Sequence, residues 1–281
     1  MRVSLHKLSV RFLWTIILLG GLLLPSCSVK EDRSVCPSFI VISILPQGSF
    51  SPGSAVTSYV FDKDGVCVGS ATHPVETYAG ENVYFPVEKE KDYTVTCIAG
   101  LKDMKVEYDR LVIEPYGVSD PIAGFSQGVH VGSSDYGYIV TGRIAKHYAD
   151  VRLKVMNPQE NYPFRFELHS GSSGLSLIGL DAIPGVHLYR PDESGEHEYR
   201  TRICRQADIS DLVMDIYRRS GMRASEEPVH TIPLGEDLLK AGYNPDAEDM
   251  EDIYVEVTYA QGGLILNVND WNVSYEDVFE I

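Results

Sequence analysis

The residue with the clearest chemistry is Cys27, which closes an apolar run in the segment Leu24-Pro25-Ser26-Cys27. A basic stretch within residues 2–11 precedes a largely apolar run of 13 residues, Phe12–Leu24, which is short for a bilayer span. A leucine three positions before a cysteine and a small residue directly before it have the spacing of a lipobox. At such a motif, a lipid is joined to the thiol and the chain is cut just before it.

We therefore predict a signal peptide over residues 1–26 and a mature protein that begins at Cys27. Acyl chains such as palmitate on this residue would hold the protein at a membrane, since several chains anchor more firmly than one. The alternative is an ordinary signal peptide with a cysteine at this position by chance.

The charge of the mature chain excludes one class of partner. Removal of residues 1–26 leaves 255 residues (281 − 26), with 21 basic side chains (24 − 3) against 40 acidic ones, a formal net charge of −19. Such a surface repels nucleic-acid phosphates and anionic lipid headgroups. We expect no nucleic-acid binding, and we expect membrane attachment to come from the lipid rather than from a basic patch.

The other cysteines are Cys36, Cys67, Cys97 and Cys204, which allow three pairings if all are bridged. An exported protein is in a compartment that permits disulfides. Cys67 and Cys97 fall on predicted strands of the same half, so we predict a bridge between them. The alternative is that they are small buried apolar residues.

Short segments that alternate between apolar and polar residues recur along the chain, which is typical of antiparallel sheets with one buried face. The predicted strands are Phe39–Leu45, Val56–Asp62, Val66–Val68, Val83–Val87, Tyr93–Ala99, Asp150–Met156, Phe164–His169, Leu212–Tyr217 and Ile253–Tyr259. Asp64-Gly65 reads as a tight hairpin turn, and only Gly235–Gly242 has the pattern of a helix. The fold class predicted is all-β, with two β-sandwiches at 38–145 and 146–281 after a tether at 27–37.

Motifs for catalysis or metal binding are absent from the sequence. Gly171-Ser172-Ser173-Gly174 is predicted to be a turn between strands rather than a nucleophile site. Asp62-Lys63-Asp64-Gly65 resembles the start of a calcium loop, but His73 stands where an EF-hand needs glutamate. We predict no enzyme activity, no cofactor and no metal. One acidic cluster could bind calcium, but we interpret it as a solvated loop: Asp246, Glu248, Asp249, Glu251 and Asp252.

Several segments, in this order, resemble the fimbrillin-associated anchor protein family, the anchor subunits of type V fimbriae. Cys27 is followed by Glu31-Asp32-Arg33-Ser34 and Cys36-Pro37, as at that family's mature N-termini. The further matching segments are Val56–Gly65 (VTSYVFDKDG), Tyr93–Gly100 (YTVTCIAG), Ile253–Tyr259 and the closing Leu264–Trp271. Cys97 stands where that family has an aromatic residue.

The resemblance implies two transthyretin-like β-sandwiches and a lipid-anchored place at the fimbrium base in the outer membrane. In this family, stalk subunits polymerise by strand exchange: a protease cuts after an arginine and frees the first strand. Release of this strand opens a groove, and the C-terminal strand of a neighbour then fills that groove by β-augmentation. The implied partner is therefore a fimbrial stalk subunit.

The segment between the first two predicted strands indicates which kind of subunit this is. Residues 46–55 contain no arginine or lysine, so a trypsin-like protease has no site there. We expect the first strand to stay in place, as in a base subunit that ends assembly. A cut after Arg33 would shed the lipid without opening the groove.

The other end of the chain would then join the stalk. The candidate donor strand comprises Trp271, Val273, Tyr275, Val278, Phe279 and Ile281. The alternative is an ordinary last strand of the second sandwich.

A short acidic segment supplies a candidate export signal. Lys30-Glu31-Asp32 resembles the Lys-acidic-acidic signal that sends lipoproteins to the outer face of some outer membranes. A solvated tether is the alternative.

Two other functions remain as alternatives. One is an accessory or tip subunit of the same fibre, which would be processed and lose its lipid. The other is a glycan-binding surface lipoprotein, which needs an exposed aromatic platform.

Overall fold

The computed structural model describes residues 36–45, 54–80, 83–134, 136–156, 164–218, 227–260, 263–268 and 271–275. Most of these residues lie in antiparallel sheets, which confirms the predicted all-β class. Among them, no helix has the length and apolar character needed to cross a bilayer. The residues from Pro37 onward cluster into one compact unit.

The first half of the described chain contains ten strands and one short helix, α1 (Val75–Ala79). The strands are β1 (Ser38–Ile44), β2 (Ala55–Asp62), β3 (Cys67–Pro74), β4 (Val83–Val87), β5 (Lys91–Ala99), β6 (Lys105–Glu107), β7 (Arg110–Val112), β8 (Ala123–Val131), β9 (Tyr138–Gly142) and β10 (Ala145–Lys146).

The second half has a 3₁₀ turn at Ile209–Asp211 and a helix α2 (Leu234–Lys240), which confirms the one predicted helix. Its strands are β11 (Tyr148–Met156), β12 (Phe164–Ser176), β13 (Ala182–Tyr189), β14 (Asp192–Gly195), β15 (Glu198–Cys204), β16 (Val213–Arg218), β17 (His230–Ile232), β18 (Ile253–Ala260), β19 (Gly263–Val268) and β20 (Trp271–Tyr275).

Four sheets arrange these strands in space. The first half pairs a three-stranded sheet, β4-β1-β9, with a five-stranded sheet, β10-β8-β5-β2-β3. The second half has sheets in the orders β14-β15-β11-β18-β19-β20 and β17-β16-β12-β7-β6, with β13 also paired to β12. Two pairs are parallel, β1 with β9 and β11 with β18, and the other pairs are antiparallel.

Two apolar clusters form the cores. The smaller one lies between the sheets of the first half and includes Ile40, Ile42 and Val95. The larger one fills the second half but also takes in Phe61, Ile98 and other side chains from the first half. The β6–β7 hairpin likewise extends the sheet of β12. The boundary at residues 145/146 stays a prediction, and these elements connect its two sides.

The structure corrects the prediction of a turn at Gly171–Gly174. This segment lies inside β12, which continues to Ser176 through two irregularities in its register with β13. Gly174 allows the strand to pass the carbonyl oxygen of Leu111 closely, because a Cβ atom here would lie only 2.0 Å from that oxygen. The serines and glycines therefore mark β-bulges and a close backbone approach rather than a chain reversal.

The predicted disulfide between Cys67 and Cys97 is wrong. Both thiols are free, Cys97 is buried and Cys67 is exposed. Strand β2 lies between the two strands that carry them, so they are about 9.6 Å apart even before any offset along the strands. Bridged cysteines have Cα atoms less than about 7 Å apart.

Candidate functional site

The first strand occupies the centre of the three-stranded sheet. Its register joins Ile40 to Phe85 of antiparallel β4 and to Tyr138 of parallel β9. Just beyond the strand, the Leu45 amide donates a hydrogen bond to the Gly142 carbonyl oxygen at 3.0 Å. Strand β1 thus satisfies backbone groups on both neighbours, and its loss would leave two strand edges unpaired.

The inward face of β1 closes the smaller core. Ile40, Ile42 and Ser38 are fully buried, and Ile44 is nearly so. Burying an isoleucine side chain contributes about 1.5–3 kcal/mol. Removal of β1 would therefore open an apolar groove whose pockets alternate along the strand, as a β-augmentation site requires.

A buried polar group lies in this core. The Ser58 hydroxyl donates to the Tyr78 hydroxyl oxygen at 2.8 Å, and the Tyr78 hydroxyl donates to the Val56 carbonyl oxygen at 3.0 Å. Burial raises the pKa of Tyr78 and that of the neighbouring Cys97 thiol to about 12 each. Cys97 is therefore an unreactive core residue, the alternative considered beside the disulfide.

The last described strand lies at the end of its sheet. Strand β20 pairs with β19 in an antiparallel register that joins Trp271 to Val268, Val273 to Leu266 and Tyr275 to Leu264. Within the described part of the chain, β19 is the one strand that pairs with β20. Val278, Phe279 and Ile281 lie outside the described residues, so the structure shows only the first part of the candidate donor strand.

The residues predicted for lipidation and export also lie outside the described part. These are Cys27 for the lipid and Lys30, Glu31 and Asp32 for the export signal. Most of the segment between β1 and β2, residues 46–53, lies outside it as well. The strands on either side of this segment, β1 and β2, belong to different sheets.

The acidic cluster near residue 250 binds the protein's own basic groups. Arg143 forms ion pairs with Glu248 and Asp249, and Lys146 pairs with Asp252. The Asp252 carboxylate also accepts the Asp150 amide at 2.9 Å. Among the residues that the structure describes, no group of His, Cys, Asp or Glu side chains is arranged to hold a metal ion.

Of these residues, Arg143 and Glu248 line a cleft of about 310 Å³ between the two halves. Its wall includes His147 and Arg205, while Phe125 and Leu180 supply apolar surface. Burial, followed by the Arg205 charge, lowers the pKa of His147 to about 4, so its ring is neutral near pH 7. Arg205 donates to carbonyl oxygens of the 245–248 loop and thereby holds the loop at the cleft.

The outer face of β12 carries a polar network that the sequence indicated only in part. Alternation placed Glu167 and His169 on the polar side of the strand, but it did not show that Glu167 is 96% buried (4% exposed). The Arg190 guanidinium donates to Glu167 at 3.0 Å. Strand β16, which pairs with β12, places Asp215 within 2.9 Å of the His169 ring. Cross-strand register, which is not local in sequence, creates this cluster.

Solved structures show which proteins share this fold. The fimbrial anchor protein Mfa2 from Porphyromonas gingivalis matches 85% of this chain and 100% of its own, at 13% identity and a TM-score of 0.62. The chain has the fold of a fimbrial anchor protein. This agrees with the resemblance found in the sequence.

Two further structures have the same fold. One, from Bacteroides thetaiotaomicron and described as a candidate polysaccharide-binding protein, matches 86% of this chain and 99% of its own, at 14% identity and a TM-score of 0.59. A candidate adhesin from Bacteroides ovatus matches 84% and 95%, at 15% identity and a TM-score of 0.59. No protein-family model matches the chain, and no curated protein matches it.

Proposed function

We propose that this protein is a non-enzymatic, lipid-anchored base subunit that attaches fimbriae to the outer membrane and ends their assembly. The observation that carries the proposal is the position of β1 in the fold. The strand is central in its sheet and its inner side chains are buried, while the connection that follows lacks a basic residue at 46–55. A base subunit needs a closed N-terminal groove, because no further subunit is added beneath it.

The shared fold supports the same proposal. The solved structures that match most of the chain include a fimbrial anchor protein and an adhesin, which function at the cell surface in the sense of their names. Lipid on Cys27 would keep the protein at the outer membrane, and a fimbrial stalk subunit would be its partner. Strand exchange would join them, with the strand that begins at Trp271 as the donor.

Deletion of the gene tests the proposed role. Fimbriae should be released into the medium, and they should be longer than normal if the protein also ends assembly. A matched strain that carries the Cys27→Ser variant separates anchoring from termination, since it keeps the protein domain but lacks the lipid. Fimbriae that stay attached and unchanged in both strains would contradict the proposal.

A truncation tests the donor strand. Deletion of residues 272–281 removes most of β20, which lies at the end of its sheet, so the remaining sheet should stay folded. Stalk attachment should be lost, as measured by co-purification with the stalk subunit. If the truncated protein unfolds, β20 is an ordinary last strand of the second sandwich.

The mass of the mature protein separates the base role from the tip role. A base subunit should begin at acylated Cys27 and retain β1. Loss of residues 27 to about 50 would identify a processed subunit and would overturn the proposal.

A further inference from the structure

The outer face of the sheet β4-β1-β9 is uncharged and largely apolar. Strand alternation places seven side chains on this face: Phe39, Val41, Ser43, Tyr84, Pro86, Ile139 and Thr141. None of these seven is Asp, Glu, Lys, Arg or His, although 23% of the whole chain is charged. Tyr84 is 63% exposed and Ile139 53% exposed, so the apolar groups face away from the core. Contiguous exposed apolar surface of this kind marks an interaction site.

Aromatic rings concentrate at one end of this sheet. The rings of Phe39 and Tyr84 meet edge to face at 5.9 Å. Tyr138 begins β9 opposite Ile40, and Tyr136 comes two residues earlier with the Lys89 ammonium 5.0 Å from its ring centre. Because β1 and β9 are parallel, this is also the end at which the chain enters β1.

That end is close to the predicted lipid along the chain. Ser38 lies eleven positions after Cys27 (38 − 27), and a fully extended chain over eleven steps spans at most about 36–40 Å. An acylated Cys27 therefore keeps the aromatic end of the sheet within that distance of the bilayer and raises the local concentration of lipid around it.

We propose that the outer face of β4-β1-β9 docks on the lipid bilayer, with Phe39, Tyr84 and Ile139 in the headgroup region. The proposal rests on the lipidated base role proposed above. Tyrosine rings and a neighbouring lysine are the side chains that settle at membrane–water interfaces. A face without charge avoids the repulsion that the acidic chain otherwise has toward anionic lipid, and its apolar area contributes the binding energy. Docking would orient the second half away from the membrane, because Phe61 and Ile98 of the facing five-stranded sheet pack into the larger core.

A fluorescent reporter on the face tests the docking. In the acylated full-length protein, Cys36→Ser and Cys67→Ser remove the two exposed thiols. Thr141→Cys then allows a nitrobenzoxadiazole label to be attached on the outer face. A second protein carries the label through Glu193→Cys on β14 instead. On vesicles of phosphatidylcholine and phosphatidylethanolamine, the label at 141 should shift to shorter wavelength and be quenched by nitroxide-bearing lipids. The label at 193 should show neither effect.

Matched substitutions identify the side chains responsible. Phe39→Ser with Tyr84→Ser should abolish the signal at position 141, while the protein still floats with the vesicles. Val66→Ser with Val68→Ser removes exposed apolar groups from the β2–β3 hairpin and should leave the signal unchanged. Thermal melts verify that both double variants are folded.

The outcomes separate this proposal from the base role. If the acylated protein floats with vesicles but the label at 141 shows neither the wavelength shift nor the quenching, the docking is wrong and the lipid anchoring is retained. If only an added stalk subunit shields the label, the face is a protein interface and the docking is again wrong. If Cys27 carries no acyl mass, the anchoring fails instead. The docking is then still tested by the chain from Ser28, held by an N-terminal polyhistidine tag on nickel-chelating lipid.

Discussion

At the scale of single residues, glycines decide where backbones approach closely. Gly174 lies in the irregular part of β12, where a Cβ atom would lie 2.0 Å from the Leu111 carbonyl oxygen. Gly128 lies in β8, where the same atom would meet nothing within 4 Å. Both glycines lie in strands. Comparing the same substitution at the two positions therefore distinguishes a steric requirement for glycine from the general preference of strands for other residues.

We expect Gly174→Ala to lower the free energy of unfolding by about 1–3 kcal/mol, because the backbone of β7 must move to accommodate the methyl group. Gly128→Ala should leave it unchanged or raise it slightly. Urea denaturation followed by circular dichroism measures both. Equal stability of the two variants would show that the sheet adapts at Gly174 without cost.

His147 gives the fold a dependence on pH. Its Nδ1 atom is buried and has no hydrogen-bond partner among the described residues, and its pKa is lowered to about 4 from an ordinary value of 6.5. Because the folded pKa lies below the unfolded one, the unfolded state binds the proton more readily. The stabilisation is present above pH 6.5 and is lost as the pH falls toward 4.

We therefore expect the free energy of unfolding to decrease between pH 6.5 and pH 4 by at most about 3 kcal/mol from this group. His147→Asn should remove this part of the pH dependence, and His73→Asn should retain it. Thermal melts over this range provide the measurement. An unchanged pH slope in His147→Asn would assign the acid sensitivity to other groups.

At the scale of elements, β1 has two faces with different tasks. The inner face closes the smaller core with fully buried isoleucines, and the outer face presents the exposed residues proposed to meet the bilayer. Adjacent positions on this one strand therefore tolerate different changes. The buried inner positions extend along the whole length of the strand, which favours its retention in the sheet.

Ile42→Asp should lower the free energy of unfolding by at least about 3 kcal/mol, because it buries a carboxylate and removes an apolar side chain. Ser43→Asp, one position further along, faces outward and should cost about 0.5 kcal/mol or less. Chemical denaturation measures the difference. If Ile42→Asp is as stable as Ser43→Asp, β1 does not close the core.

At the scale of the whole molecule, contacts join the two halves. The β6–β7 hairpin precedes residue 145 but pairs with β12, and Phe61 packs in the larger core. The carboxylate of Asp120 accepts the amides of Asp103 and Met104 at 2.8 and 2.9 Å and so fixes the chain that leads into the hairpin. Ion pairs of Arg143 with Glu248 and Asp249 add to this junction.

We expect residues 38–281 to unfold in a single calorimetric transition, since the larger core takes side chains from both halves. A fragment of residues 146–281 should show no cooperative melt, because it lacks the hairpin that pairs with β12 and the apolar groups that cover its core. Two separate transitions in the intact chain, or a cooperative melt of the fragment, would show that the halves fold independently.

Local pattern was enough to predict the strand class of this protein. The alternation in Val83–Val87 and Ile253–Tyr259, the turn at Asp64-Gly65 and the helix near Gly235 all depend on neighbouring residues, and the structure confirms them. The ionic environment of a residue, in contrast, depends on strands that are distant in sequence. Alternation therefore identified the polar side of β12 but not the burial of Glu167 beside Arg190.

The tertiary arrangement settled which segments meet. In the folded protein, β1 lies between β4 and β9, and the β6–β7 hairpin pairs with β12 of the second half. Strand β2 lies between the strands that carry Cys67 and Cys97, whose thiols are free. The tertiary arrangement also allowed the Ser-Gly segment at 171–174 to continue as a strand. Period-two alternation shows which face of a strand is buried, but strand order depends on long-range packing and loop closure, which no single segment encodes.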